Sequence, residues 1–173
     1  MARTSYQNVL ALPDAAQNWN FDLFFPTIPG SAIPANNLTY KCKSTSLPTS
    51  SLEFVKIELH GVAKQEAGRA TYEHTFQAVF METVDYTTYK AFRAWRDFMR
   101  SWKNSKGTDS QAYKVNLELD VYDNAGNIVE TIILVGAFPT SIGEVQYSGA
   151  DSAAAIDLTM TFSFDYLSDS TSF

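Results

Sequence analysis

Strict alternation of apolar and polar residues near the C-terminus most constrains what this chain can fold into. Between residues 156 and 166 every second residue is apolar, and the intervening residues carry hydroxyl or carboxyl groups. The apolar positions are Ile156, Leu158, Met160, Phe162, Phe164 and Tyr166, and the polar positions are Asp157, Thr159, Thr161, Ser163 and Asp165. This period of two predicts a long β-strand with one buried face and one wet face.

Shorter alternating segments predict about six further strands. They lie within residues 19–23, 38–43, 55–59, 72–80, 115–121 and 128–135. The turn residues of segment 123–126 predict a β-hairpin between the last two. Segment 61–70 is small and polar and is predicted as an exposed excursion between two strands, and segment 138–143 is predicted as a loop.

One amphipathic helix is predicted over residues 85–103. Asp85 is the expected N-cap, because its side chain can accept a hydrogen bond from a backbone N–H of the first turn. Gly107 follows the last turn and favours a stop there. At 100° per residue, the apolar side holds Ala91, Phe92, Trp95, Phe98, Met99 and Trp102. The opposite side holds Tyr89, Arg93, Arg96, Arg100 and Lys103.

The aromatic side of this helix needs an apolar surface, which a sheet would supply. The predicted fold is therefore mostly β: an antiparallel β-sandwich or open barrel of about seven strands with one flanking helix. At 173 residues the chain is expected to form a single domain, residues 1–173. Residues 1–8 lack the apolar core of a signal peptide, and the apolar runs are far shorter than the ~18–20 residues of a membrane span, so an intracellular domain is expected.

Residue types that carry enzymatic chemistry are scarce. The chain has one cysteine, Cys42, and two histidines, none at metal-ligand spacing. Cys42 lies on the apolar side of its strand and is predicted as a buried structural thiol. His74 is predicted as a hydrogen-bonded core residue, and His60, at a strand end, as a surface residue. No glycine-rich phosphate loop or nucleophile elbow occurs, so we expect no enzyme, no cofactor and no small-molecule substrate.

Charge is divided unevenly along the chain. The formal net charge is -6. Residues 85–106 carry six basic and two acidic side chains, whereas the remainder carries seven basic and 17 acidic ones. Overall acidity argues against a general nucleic-acid binder, which needs a broad basic surface. The basic helix stripe is either a solvated face or a docking stripe for an acidic partner.

Three segments resemble, in order, the tail tube proteins of contractile-tailed bacteriophages. Segment 41–48, KCKSTSLP, resembles an early F-x-C-K-A-T-x-L-P motif, and the helix with Phe92, Trp95 and Asp97 resembles a central F-x-x-W helix. Segment 136–145, GAFPTSIGEV, resembles a G-x-[WF]-P-[TS]-x-[IV]-G-E-[LV] turn. A small polar stretch and a terminal strand ending in Asp165 and Tyr166 follow, as in that family. The resemblance runs from residue 18 to residue 167.

The resemblance implies a structural subunit. Such proteins form hexameric rings whose sheets join edge to edge into one barrel, and the rings stack into a tube through which DNA passes without specific binding. The implied partners are further copies of the chain, a tail sheath protein, and baseplate and tail-terminator proteins. The implied location is the virion tail, after assembly in the host cytoplasm. The inner tube of a phage-derived contractile injection system or bacteriocin stays open as an alternative, and a monomeric ligand-binding β-barrel is a distant one.

Candidate interface residues follow from combining the strand and helix patterns of this sequence with the ring architecture that the resemblance implies. An acidic lumen would repel DNA phosphates. The lumen candidates are Glu73, Thr75, Gln77, Asp157, Thr159, Thr161, Ser163 and Asp165. Region 47–70 resembles the family's loop toward the neighbouring ring, with ring-stacking candidates Ala63, Lys64, Gln65, Glu66, Gly68 and Arg69. The sheath-facing candidates are Tyr89, Arg93, Arg96 and Arg100. An N-terminal arm, residues 1–17, and a tail, residues 168–173, are expected to order only in the assembly.

Overall fold

A computed structural model describes residues 17–48, 50–103, 105–145, 147 and 155–169. The strands are β1 (Phe21–Phe24), β2 (Cys42–Thr45), β3 (Ser50–Leu59), β4 (Val62–Tyr72), β5 (Thr75–Met81), β6 (Val115–Tyr122), β7 (Ile128–Ile142), β8 (Asp157–Ser163) and β9 (Tyr166–Asp169). The helices are α1 (Asn36–Thr39), α2 (Thr87–Met99) and α3 (Ser110–Tyr113). The predicted arm lies outside these residues apart from Gln17, and so does segment 170–173 of the predicted tail. The first two residues of that tail, Ser168 and Asp169, belong instead to β9.

Seven of the strands form one antiparallel sheet that does not close into a barrel. Its order is β1-β6-β7-β8-β5-β2, and β9 adds to β7 beside β8. The predicted mostly β fold with a seven-stranded antiparallel sheet is thus confirmed. Two short helices accompany the predicted long one, α2.

Strand β7 runs through the middle of this sheet for 15 residues. Its first part pairs with β6 and β9, where Leu134 lies opposite Leu117 and Leu167. Its last part pairs with β8, where Phe138 lies opposite Ser163. The loop predicted over residues 138–143 is therefore wrong. The chain bends without leaving the sheet, because Gly136 has a φ of 69° and the register shifts just after Pro139.

Aromatic side chains fill the space between the sheet and helix α2. Phe92 and Trp95 of the helix are fully buried, as are Phe25, Phe80 and Phe162 from the strands and loops opposite. Their rings lie 5.1 to 6.3 Å apart between centroids, the range in which aromatic pairs attract. This cluster places the helix on the sheet, as the aromatic face predicted.

The start of helix α2 differs from the prediction. Asp85 makes no cap, and the N-cap position is Tyr86, whose φ is 53°. Glu82 supplies the cap from outside the helix: its two carboxylate oxygens accept the N–H groups of Thr88 at 3.1 Å and Tyr89 at 2.7 Å. Tyr86, in the left-handed conformation, separates Asp85 from the first turn of the helix. The free N–H groups of that turn therefore bind Glu82 and not Asp85.

The excursion predicted over residues 61–70 is wrong as well. This segment is part of β4, which pairs with β3 from Leu59 opposite Val62 to Ser50 opposite Tyr72. The two strands form a separate two-stranded sheet, and the strand predicted over residues 72–80 begins only at Thr75. Neither face of this hairpin packs on the body, and in β4 the residues from Ala63 to Ala70 carry no alternating pattern that would mark a strand.

The histidines and the cysteine divide between confirmed and wrong predictions. His60 lies in the exposed turn between β3 and β4, as predicted. His74 is exposed rather than buried, because β4 ends before it; its Nδ1 lies 3.2 Å from the Phe164 carbonyl oxygen. Cys42 is partly buried at the edge of the core. Burial raises the pKa of its thiol from 9.0 to about 12, so this sulfur is a poor nucleophile at neutral pH.

Candidate interfaces of the sheet, the hairpin and the helix

The polar face of β5 and β8 brings six of the eight lumen candidates together. In the register of the two strands, Thr75 lies opposite Ser163 and Gln77 opposite Thr161. Alternate residues of both strands are buried in the core on the other side. Thr159 and Asp157 continue the same face toward the end of β5. We name this surface, made of Thr75, Gln77, Asp157, Thr159, Thr161 and Ser163, the hydroxyl face.

The two remaining lumen candidates lie off these strands. Glu73 is in the connection between β4 and β5, and Asp165 lies between β8 and β9. Asp165 packs beside Gly136, where an added Cβ would clash with its carboxylate. Lys114 binds the same carboxylate, with its Nζ 2.7 Å from Oδ1.

A lysine also neutralises the aspartate of the hydroxyl face. The Nζ of Lys43 lies 2.7 Å from Oδ2 of Asp157, and both side chains are about half exposed. Sequence reasoning missed both lysine partners. The hydroxyl face therefore carries less negative charge than the sequence predicted, and its polarity comes mainly from hydroxyl groups.

All six ring-stacking candidates lie on strand β4 of the hairpin. Lys64 and Glu66 point to one face and bind each other at 2.5 Å, and Ala63 and Gln65 point to the other. Gly68 sits at a register shift opposite Glu53, where a Cβ would come within 3.0 Å of the Glu53 carbonyl oxygen. The hairpin is held together by its own ladder and ion pairs.

The sheath-facing candidates lie along helix α2 and border two grooves. Tyr89 and Arg96 line a groove of about 430 Å³ between the helix and residues 142–145 and 147. Arg96 and Arg100 line a second groove of about 820 Å³, which also exposes Trp102. Arg93 points away from both and lies 3.9 Å from Asp97, one helical turn along. The four residues form a continuous stripe along the helix, but they border different grooves and have different neighbours.

Metal chemistry finds no support in the described part of the chain. Residues 17–48, 50–103, 105–145, 147 and 155–169 contain no group of three or more histidine, cysteine, aspartate or glutamate side chains able to hold a metal ion. Within the same ranges, no helix has the length and apolarity needed to cross a membrane.

The described residues combine edge strands that have one partner each, a separate hairpin and a polar sheet face. These are features of a structural subunit that assembles with other chains. Two solved structures share this fold. A chain of the anti-feeding prophage tube-terminating cap is 13% identical with a TM-score of 0.64, covering 94% of this chain and 95% of its own length. A chain of the extended sheath–tube complex of the extracellular contractile injection system PVC is 16% identical with a TM-score of 0.59, covering 96% and 98%.

Sequence comparison gives the family. The chain belongs to the phage tail tube protein family, whose profile matches residues 2–168. The tail tube protein of Serratia phage KSP90 is 23% identical over 129 residues, which are 74% of this chain and 72% of that relative. The protein is thus a tail tube structural subunit, with a structural rather than a catalytic role.

Proposed function

We propose that this chain builds a hollow phage tail tube from stacked hexameric rings and that the tube conducts DNA. The observation that carries the proposal is the open seven-stranded sheet of a tail tube family member. Among the described residues, β1 pairs only with β6 and β2 only with β5, so each leaves one edge without a partner strand. Such edges risk aggregation unless they are paired, and a closed ring pairs each with the next subunit.

The outer edge of β2 gives a sharp test of ring formation. Ser46 donates its N–H to the Gln77 carbonyl at 3.2 Å, so the N–H of the preceding Thr45 points away from β5. Thr45→Pro would remove that outward donor while leaving the β2–β5 ladder in place. Thr45→Ala is the matched control, because it removes the same side chain and keeps the N–H.

We expect the wild type and Thr45→Ala to form rings or tubes in negative-stain images, and Thr45→Pro to remain monomeric with an unchanged melting temperature. Rings of normal size from Thr45→Pro would show that this edge is not a ring contact. A wild-type chain that stays monomeric would refute the proposed function itself.

The hydroxyl face is the proposed lumen wall. Threonine, serine and glutamine side chains offer DNA phosphates no fixed positive charge, and Asp157 holds the neighbouring Lys43. DNA would slide along such a wall without binding, since counterion release by free cations is what holds DNA to proteins. A phage carrying Thr161→Lys should eject DNA more slowly than one carrying Gln111→Lys, on helix α3. Equal ejection rates would count against this lumen assignment.

The basic stripe of helix α2 is the proposed contact for an acidic inner surface of a sheath protein. The solved sheath–tube and tube-terminator assemblies that share this fold support a tube that meets a sheath, a terminator and a baseplate. A triple Arg93→Ala, Arg96→Ala, Arg100→Ala variant should form tubes that recruit less sheath. Added salt should weaken sheath recruitment by the wild type and change that by the variant much less. Sheath recruitment that is unchanged in the triple variant would contradict this contact.

The inner tube of a contractile injection system is the second candidate, favoured by the fold shared with the PVC sheath–tube complex. Both candidates use the same rings and differ in cargo. Electron microscopy of particles purified from the producing strain decides between them. DNA-filled heads attached to the tails support the phage tube, and particles without heads support the injection system.

A further inference from the structure

The β3–β4 hairpin leaves the sheet at one end of β5. It links the end of β2 to the start of β5, and those neighbouring strands are antiparallel. The other end of β5 is Met81, whose N–H donates to the Lys41 carbonyl at 2.8 Å. Strand β5 has seven residues, which at ~3.3 Å each separate the two ends by about 20 Å.

One face of the hairpin is apolar and uncovered. It carries Val55, Ile57, Leu59 and Val62, since Leu59 pairs with Val62 and every second residue of β3 shares its side. The side chains of Val55, Leu59 and Val62 are 53%, 66% and 71% exposed. Lys64 and Glu66 on this face bind each other, so burying the face would leave no unpaired charge.

Apolar side chains are also exposed at the Met81 end. Val84 and Tyr40 are 96% and 83% exposed, more than any other large apolar side chain in the part of the chain that the structure describes. Both belong to the same end of the sheet, because Lys41, next to Tyr40, donates from Nζ to the hydroxyl of Thr83, next to Val84, at 3.0 Å. Two highly exposed apolar side chains therefore lie at this end of the sheet.

A groove continues this surface along the start of helix α2. The groove of about 430 Å³ is lined by Tyr86, two residues after Val84, and by Val145 and Tyr147 of the segment that follows β7. The hydroxyl of Tyr147 donates to that of Tyr86 at 3.1 Å across it. An apolar side chain from a partner could enter here beside Val84. We name Tyr40, Val84, Tyr86, Val145 and Tyr147 the end surface.

Identical subunits that stack head to tail must join two different surfaces of the same chain. The hairpin and the end surface meet that requirement: both expose apolar side chains, and they lie at opposite ends of β5. The hairpin, residues 50–72, holds three basic and three acidic residues and so has no net charge to be repelled. Burial of such apolar side chains is the main favourable term in association.

We propose that the end surface is the receptor for the β3–β4 hairpin of a second copy of this chain, in the next ring. The inference rests on the proposed ring-stacking function and names the surface that receives the hairpin. The lengthening of the tube then depends on this contact, whereas the closing of each ring depends on the strand edges.

Mixing two blocked variants tests the contact. A hairpin variant, Leu59→Glu with Val62→Glu, should form rings that cannot insert their hairpins, and its charges repel those of the receptor variant below. A receptor variant, Tyr40→Glu with Val84→Glu, should form rings that cannot accept them. Each alone should give single rings, and an equal mixture of preformed rings should give double rings, because an intact hairpin then meets an intact receptor.

Val129→Glu is the matched control, since Val129 is 65% exposed near the start of β7 and belongs to neither proposed surface, so tubes of this variant should lengthen normally. All substituted side chains are exposed, and unchanged melting temperatures confirm folded rings. The proposal is overturned if the receptor variant alone forms long tubes, or if the mixture yields only single rings. Failure of the wild type to form rings would instead refute the proposed function.

Discussion

The carboxylate of Glu82 fixes the beginning of helix α2. The first N–H groups of a helix lack partners within it and are normally satisfied by a side chain just before the first turn. In this chain Glu82 reaches the N–H groups of Thr83, Thr88 and Tyr89 from five or more residues before the helix body. Asp85, which has the expected residue type at the expected distance, makes no such bond.

Replacing Glu82 by alanine should lower the free energy of unfolding by about 1–2 kcal/mol, the usual loss when a helix cap is removed. Asp85→Ala is the matched control and should change it by less than about 0.5 kcal/mol, as exposed substitutions do. Urea unfolding followed by circular dichroism measures both. A larger loss for Asp85→Ala than for Glu82→Ala would contradict this assignment of the cap.

Cys42 gives the fold a dependence on alkaline pH. Because burial raises the pKa of the thiol from 9.0 to about 12, folding favours the neutral thiol over the thiolate. The resulting stability is complete below pH 9 and is lost as the pH rises through 12. Between about pH 7 and about pH 10, wild type should therefore lose more unfolding free energy than Cys42→Ala. Equal losses in the two proteins would show that the thiol is not desolvated.

Residue types could be assigned from the sequence, but distant partners could not. Period-two alternation correctly placed Thr159, Thr161 and Ser163 on one wet face, because that pattern follows from strand geometry alone. The lysines that neutralise Asp157 and Asp165 stand 114 and 51 residues away along the chain. No local pattern signals such pairs, so the predicted acidity of the face was too high.

At the scale of elements, strands with one apolar face were predictable, including residues 55–59 of β3, and the second hairpin strand, β4, was not. Strands β6 and β8 alternate because one side of each meets the aromatic core. In β4 the sequence from Ala63 to Ala70 has no buried side to mark, and its small polar residues resemble a loop. Pro139 likewise suggested a loop, although β7 accommodates it at a register shift.

The hairpin should be dispensable for folding and essential for tubes. Ser50 and Tyr72 face each other at its base, so a short glycine–serine linker can replace residues 51–71 without moving the body. We expect the melting temperature of the shortened chain to stay within a few degrees of wild type, because the core cluster contains no hairpin residue. Electron microscopy should then show single rings. Long tubes from the shortened chain would rule out stacking through the hairpin.

The whole molecule is an acidic sheet body with a basic helix on one side. Its net charge of -6 is the balance between these unlike surfaces. In a ring, the edges of β1 and β2 would be paired, the hydroxyl face would line the channel, and the basic helix would remain outside for a sheath. In the single chain the hydroxyl face and the basic helix are exposed, and β1 and β2 each lack a second partner strand among the described residues, which suits a subunit whose stable form is an assembly.

Electron microscopy of the purified full-length protein tests the central claim most directly. We predict hollow tubes made of six-fold rings, with strand density from β5 and β8 around the channel and helix α2 on the outside. Helical reconstruction at a resolution that separates strands would decide this placement. A population that stays monomeric at every concentration, or rings with helix α2 lining the channel, would contradict the account.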